Sequence, residues 1–114
     1  MIKIEDDNYQ VEYQPADSVV RFTGTLRLGG LSEYAPIADC LTQAVTESDA
    51  LTLSLKELEF LNSSGIAMFS KFVINARNKA EFKLVVVGSQ SVPWQTKSLN
   101  NLKRLMPAME LILE

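Results

Sequence analysis

The run Asn62-Ser63-Ser64-Gly65 contains the residues of this sequence that are best suited to specific chemistry. Asn and Ser side chains accept hydrogen bonds from the unpaired N–H groups at the start of a helix. Three consecutive residues of this kind exceed what one cap position needs, and a glycine in the first turn costs up to ~1 kcal/mol relative to Ala. A hydroxyl there can carry a phosphate, whose charge the positive end of a helix favours. The run predicts either a capped helix start alone or a binding turn with a modifiable hydroxyl.

Other reactive groups are few. The sequence has no histidine and a single cysteine, Cys40, so it offers no Cys–His pair, no Cys/His metal spacing and no internal disulfide. Phosphate-loop, dinucleotide-binding and nucleophile-elbow motifs are absent. Glu57 and Glu59 are expected in a solvated loop, where nothing tunes a carboxylate for acid–base work. We therefore expect no enzymatic activity, no cofactor and no metal.

Length and charge limit the remaining classes. At 114 residues the chain is predicted to be one domain, residues 1–114. The net charge is −3 and the eleven basic residues are scattered, so no basic stripe for nucleic acid is expected. No apolar run is long enough to cross a bilayer, and the first residues do not resemble a signal peptide. A cytoplasmic location is the expectation, and the sequence leaves the oligomeric state open.

The elements that position the turn follow from apolar periodicity. Strands are predicted at 9–13, 19–28, 51–55, 82–87 and 109–113, with a short strand at 2–4, and helices at about 34–48, about 64–79 and 93–105. Ser32 is the expected cap of the first helix, with Pro36 in its first turn. The nearly continuous apolar run 82–87 predicts a strand covered on both faces. The order predicts an α/β fold with an N-terminal antiparallel hairpin followed by βαβ units of a mixed sheet.

The helix after the turn has a predicted core-facing stripe and an outer face. At about 100° per residue the stripe consists of Ile66, Phe69, Phe72, Val73 and Ala76. Ala67 and Ile74 lie away from that stripe, beside Ser70 and Lys71. This outer face predicts either a docking patch next to the turn or an ordinary exposed isoleucine.

The segment from Leu53 to Ile66 resembles the central stretch of STAS domains, and in particular that of bacterial anti-sigma factor antagonists. In this family an apolar strand, a short acidic loop and a hydrophobic pair precede Asp-Ser-Ser-Gly or Asp-Thr-Ser-Gly and a helix. The run Phe22-Thr23-Gly24-Thr25-Leu26 is similar to the family's early strand. The order of elements matches from about Val19 to Leu113, so the resemblance implies a STAS-like fold with three helices.

The resemblance also implies a partner switch. In the family, a partner that is both serine kinase and anti-sigma factor phosphorylates the first hydroxyl residue after the Asp, and a phosphatase reverses this. By position Ser63 is the implied phosphorylation site. The implied partner-binding residues are Asn62, Ser63, Ser64, Gly65, Ala67, Ser70, Lys71 and Ile74. Two alternatives stay open: a STAS interaction module that is not phosphorylated, and a STAS domain that senses a small ligand.

The sequence departs from the family pattern at three places. Asn62 stands where the family usually has Asp, which favours the alternative without phosphorylation. The C-terminal helix usual in the family is expected to be absent. Residues 1–14 form an additional strand segment, which we expect to cover the surface that the missing helix leaves bare.

Overall fold

The computed structural model describes all residues from 1 to 114 as one sheet with three helices. The strands are β1 (Ile2–Glu5), β2 (Tyr9–Gln14), β3 (Val19–Leu26), β4 (Ala50–Leu61), β5 (Lys83–Gly88) and β6 (Glu110–Leu113). The helices are α1 (Leu31–Glu47), α2 (Ser63–Asn78) and α3 (Gln95–Leu105). No helix combines the length and the apolar character needed to cross a bilayer.

The six strands lie in the sheet in the order in which they occur along the chain. β1, β2 and β3 pair antiparallel, whereas β3 to β6 pair parallel, and each parallel pair is joined through one helix. The mixed sheet with an antiparallel N-terminal part and three βα units is as the periodicity predicted. Residues 1–14 contain β1 and the whole of β2, at the edge of the sheet opposite β6.

All three helices lie on one face of the sheet. Parallel strands that follow one another in order, joined by right-handed crossovers, place every helix on the same side. In β5, Leu84 and Val86 are accordingly buried, but Val85 and Val87 are only half-buried on the opposite face. The prediction that residues 82–87 would be covered on both faces is therefore wrong. One core of 28 residues fills the space between the helices and the sheet.

β4 is longer than predicted and runs without a break to the candidate turn. Residues 56–59 continue the strand instead of forming a loop, although Glu57 and Glu59 are exposed as expected. The pairing of β4 with β3 shifts register twice, so that β4 has an extra residue at each shift. These bulges change the spacing of inward side chains from two to three residues, which turns Leu58 and Leu61 into the core.

The start of α1 also differs from the prediction. The helix begins at Leu31, and its N-cap is Gly30 at φ +145°, with no side-chain cap from Ser32. Glycine suits this conformation because it has no Cβ. Pro36 consequently lies in the second turn of α1 rather than the first, on the exposed side of the helix, where water can satisfy the carbonyl that loses its partner.

Two long-range contacts fix the helices to each other and to the sheet. At the C-terminal ends of α1 and α2, Lys79 Nζ donates hydrogen bonds to the carbonyls of Val45 and Ser48. At the start of α3, the buried Gln95 amide donates to the carbonyls of Leu55 and Leu58 at 2.6 and 3.0 Å.

Candidate functional site

The candidate turn joins β4 to α2 at the end of the sheet where the parallel strands terminate. This edge is the usual place for binding residues in open α/β sheets, because loops and helix N-termini converge there. Asn62 is the N-cap of α2, with extended backbone dihedrals (φ −83°, ψ 176°). Asn62 contacts the loop before α1 at Leu28, and the β1–β2 turn at residues 6–8 lies at the same end of the sheet.

The Asn62 side chain uses both of its polar atoms. Its Oδ1 accepts the capping hydrogen bond from Gly65 N at 3.0 Å and a second bond from the Tyr34 hydroxyl at 2.7 Å. Its Nδ2 donates to the carbonyl of Leu28 at 2.8 Å. A carboxylate has no N–H to offer Leu28, so this position is built for an amide. The geometry gives a physical reason for Asn where the STAS pattern usually has Asp.

Tyr34 connects α1 to this cap. The side chain is fully buried, and burial raises the pKa of its hydroxyl above the ordinary value. At neutral pH the hydroxyl is therefore protonated and donates to Asn62. Sequence reasoning did not identify Tyr34, since the two residues are separated by 28 positions.

Gly65 is buried beneath the turn. A Cβ at this position would lie 2.8 Å from the Tyr34 hydroxyl and would also overlap the side chain of Leu61. Side chains essentially never approach a Cβ so closely, so the site requires glycine. The close approach expected from the sequence is thus made by Tyr34 and Leu61 of the protein itself.

Ser63 and Ser64 follow the cap as the first two residues of α2. Ser63 is exposed and Ser64 is half-buried. Because Asn62 supplies the cap, the Ser63 hydroxyl is not needed for it. An exposed hydroxyl at the positive end of a helix is accessible to a modifying enzyme and favourable for a phosphate.

The faces of α2 are close to those predicted. Phe69, Phe72, Val73 and Ala76 are buried as expected. Ile66 is only half-buried, and Met68 lies in the core in its place. The difference arises because the stripe is rotated toward α1, against which α2 packs.

The outer face of α2 carries the remaining predicted binding residues. Ile74 is 37% exposed and Lys71 is exposed, while Ala67 and Ser70 are half-buried. The Ser70 hydroxyl donates to the carbonyl of Ile66 at 3.0 Å within the helix. The structure therefore brings the eight predicted residues onto the first three turns of α2 and its cap.

Two exposed apolar side chains beside the turn were missed by sequence reasoning. Phe60 is 39% exposed at the end of β4, with the Arg27 guanidinium 4.5 Å from the centre of its ring. Leu31 is 45% exposed at the start of α1. The signal for Phe60 was hidden by the bulges of β4, which turn it outward. A cleft of about 310 Å³ beyond Arg27, next to Tyr9 and Asp6, is lined mainly by polar groups.

The six-stranded sheet, its antiparallel N-terminal strands and the three helices on one face define a STAS-like fold. No protein-family model matches the sequence, and a comparison with curated proteins finds no match. Solved structures match along nearly the whole chain, and they confirm both the predicted fold class and the resemblance on which it was based.

Three of these structures illustrate the match. A chain in the crystal structure of the diguanylate cyclase SiaD in complex with its activator SiaC, from Pseudomonas aeruginosa, has a TM-score of 0.76 at 10% identity, with 100% of both chains covered. Apo-SiaC from the same organism has a TM-score of 0.74 at 8% identity, covering 100% of this chain and 99% of that chain. An anti-sigma factor antagonist from Mycobacterium paratuberculosis has a TM-score of 0.66 at 21% identity, covering 93% and 88%. At these identities the likeness concerns the fold.

Proposed function

We propose that this protein is a STAS-type regulatory protein that binds a partner protein at the Asn62–Gly65 turn, with Ser63 as a phosphorylation switch. The observation that carries the proposal is the division of roles within the turn. Asn62 caps the helix through an amide whose oxygen and nitrogen are both hydrogen-bonded, and the adjacent Ser63 hydroxyl is left exposed at the first position of α2. A hydroxyl that the fold does not use is available to a partner and to a kinase.

The surface around the turn suits protein recognition. Leu31, Phe60 and Ile74 are large apolar side chains that are each more than a third exposed. Phe60 is near the end of β4, just before the turn, Leu31 begins α1, and Ile74 is on α2. Apolar groups that lie beside polar ones are typical of protein interfaces. The proposed partner-binding residues are Asn62, Ser63, Ser64, Gly65, Ala67, Ser70, Lys71 and Ile74, with Gly65 acting through the close packing beneath the turn.

Phosphorylation at Ser63 would change binding without unfolding the protein. A phosphate adds a charge of about −1.5 to −2 at neutral pH. The N-terminal end of α2 favours that charge, so the fold tolerates it. An interface built for a neutral hydroxyl does not tolerate it, since burying an unpaired charge is costly. The modified protein is therefore expected to release its partner.

Two partner classes are supported. The first is a serine kinase that is also an anti-sigma factor, as the resemblance to anti-sigma factor antagonists implies, with a phosphatase to reverse the modification. The second is a signalling enzyme, because SiaC, whose fold this chain shares, is the activator of a diguanylate cyclase. The amide of Asn62 favours an alternative within either class, in which the turn binds its partner without phosphorylation.

The test is a pull-down from lysate of the native host with wild-type protein, Ser63→Glu and a matched control, Thr46→Glu. Thr46 is exposed near the C-terminal end of α1, far from the turn, so the control adds the same charge elsewhere. We expect a partner that is retained by wild type and Thr46→Glu and lost by Ser63→Glu. Mass spectrometry of the protein isolated from its host is expected to find phosphate on Ser63.

The outcomes separate the parts of the proposal. A partner that Ser63→Glu retains as well as wild type contradicts binding at the turn. A partner lost by Ser63→Glu, together with Ser63 that is never modified, leaves the binding site but refutes the switch.

A further inference from the structure

A cleft between α1 and α2 leads away from the proposed binding turn. Its volume is about 360 Å³, and its apolar lining includes Leu31, Ala35 and Ala38 from α1 and Met68 and Phe72 from α2. Leu31 is 45% exposed, and Ala35 is exposed as well. The cleft starts at the end of α1 that lies beside the turn, because Tyr34 ties that end to the cap of α2.

The lining residues repeat with the spacing of a helix seam. On α1 they are Leu31, Ala35, Ala38 and Thr42, at steps of four, three and four residues. Residues at such steps lie along one side of a helix and accept the side chains of another helix packed against them. The stripe extends over twelve residues, and the eleven steps between its ends correspond to about 16 Å at 1.5 Å per residue. Its length fits about three turns of an additional helix.

The two walls of the cleft carry opposite charge. The α1 wall is acidic, because α1 has Asp39 at the cleft and no basic residue. The α2 wall is basic, because α2 has Lys71 at the cleft and no acidic residue. These two groups do not pair with each other, since the only ion pair of the protein joins Lys56 to Glu114. Both charges are exposed and free to meet charges of a partner.

We propose that this cleft binds an amphipathic helix of the partner protein, with an apolar stripe on the floor, basic residues along α1 and acidic residues along α2. The proposal rests on the proposed function, of which it specifies the partner's chemistry. The opposite signs of Asp39 and Lys71 determine which flank of the helix faces which wall. They also determine its direction, because a helix that is reversed in the cleft exchanges its flanks.

The test uses three labelled synthetic helices of 18 residues with the same Leu/Ala stripe. One has Lys on one flank and Glu on the other, one has Lys on both flanks, and one has Glu on both. Fluorescence polarisation is expected to show that wild-type protein binds the mixed helix about fivefold more tightly than either control. Each control exchanges one attractive charge pair for a repulsive one, and each of these two changes is worth about 0.5 kcal/mol at an exposed site. Lys71→Glu makes both walls acidic, so the preference is expected to move to the helix with Lys on both flanks.

A blocking variant tests the position of the helix. Ala35 is exposed at the cleft, so Ala35→Trp fills it without disturbing the core, and the loss of affinity is expected to be about tenfold or more for every helix. Ala108→Trp, in the exposed turn between α3 and β6 and outside the cleft, is the matched control and is expected to leave binding unchanged. Circular dichroism checks that each variant is folded.

Several results would overturn the proposal. The first is equal affinity of wild-type protein for the three helices, and the second is binding that survives Ala35→Trp. The third is a concentration-dependent dimer in sedimentation that Ala35→Trp abolishes, because a second copy of this chain would then be the occupant of the cleft. The partner identified in the Ser63 pull-down gives a further test. If Ala35→Trp protein no longer binds that partner, the result supports the cleft. If Ala35→Trp protein still binds the partner and Ser63→Glu protein does not, the cleft is refuted and the proposed function stands.

Discussion

The hydrogen bond from Tyr34 to Asn62 should be measurable as a coupling free energy between the two residues. Tyr34→Phe removes only the hydroxyl and leaves the Asn62 oxygen bonded to Gly65. The expected cost is about 1 kcal/mol of unfolding free energy, the usual net value of one hydrogen bond. Asn62→Ala removes the helix cap and also leaves the buried hydroxyl without an acceptor.

The cost of Asn62→Ala is therefore larger. Loss of the cap costs about 1 kcal/mol, loss of the Nδ2 bond to Leu28 costs about 1 kcal/mol, and the unsatisfied buried hydroxyl adds about 2 kcal/mol, for a total of about 4 kcal/mol. In the double variant the hydroxyl is gone, so its penalty disappears and the expected cost is about 3 kcal/mol. Independent residues would give about 5 kcal/mol, the sum of the single effects. The predicted coupling is the difference, about 2 kcal/mol.

Urea denaturation followed by circular dichroism measures the unfolding free energies of wild type, the two single variants and the double variant. In a domain of 114 residues, 1 kcal/mol corresponds to about 4 °C in melting temperature, so thermal unfolding gives a second reading. Tyr9→Phe is the matched control, because Tyr9 is half-buried and its hydroxyl is not hydrogen-bonded within the protein. That substitution is expected to change stability by less than about 0.5 kcal/mol.

Additive single effects would refute the reasoning, since they would mean that Tyr34 and Asn62 do not share a hydrogen bond. A cost of Tyr9→Phe equal to that of Tyr34→Phe would also contradict it, because the loss would then come from the hydroxyl's contribution to packing.

Three further predictions concern stability. Gln95→Leu is expected to cost about 2 to 4 kcal/mol, because the carbonyl of Leu55 and the N–H of Ser89 lose the Gln95 partner and the carbonyl of Leu58 keeps only its bond from Trp94 Nε1. A urea midpoint equal to that of wild type would exclude this role. Ser63→Glu is expected to raise the unfolding free energy by up to about 0.5 kcal/mol through its charge at the start of α2, so clear destabilisation would contradict the placement of the helix end. Burial raises the pKa of all three tyrosines above the ordinary 10.0, so the folded chain keeps phenolic protons that the unfolded chain loses. Stability is therefore expected to fall as the pH rises above about 10, and a free energy of unfolding that stays constant in urea titrations from pH 8 to 12 would refute it.

Local patterns predicted most of the fold. The alternation of strands and the helical spacing of apolar residues identified every element and placed all but β4 within a few positions, because these periodicities report directly which side of an element is buried. The strand β4 was cut short because its inward spacing changes from two to three residues after Leu55. That change depends on register shifts against β3, and pairing between distant strands is not visible in a local window.

The candidate site was predictable only in part for the same reason. A cap at Asn62 or Ser63, the exposure of Ile74 and the need for a small residue at Gly65 follow from nearby sequence, and the structure places the cap at Asn62. The hydrogen bond from Tyr34 reaches Asn62 across 28 positions of the chain, and the bond from Asn62 to Leu28 spans 34 positions. Nothing in the local sequence marks such partners, so the reason for an amide at Asn62 required the three-dimensional arrangement.

The hydrogen bonds of Lys79 have a consequence for the thermodynamics of recognition. They join the C-terminal ends of α1 and α2, while Tyr34 and Asn62 join the N-terminal ends, so both ends of the helix pair are fixed. A pair held at both ends loses little conformational entropy when a ligand enters between the helices. Complex formation should then proceed with small reorganisation of this chain, and the ordering cost of association falls mainly on the incoming segment.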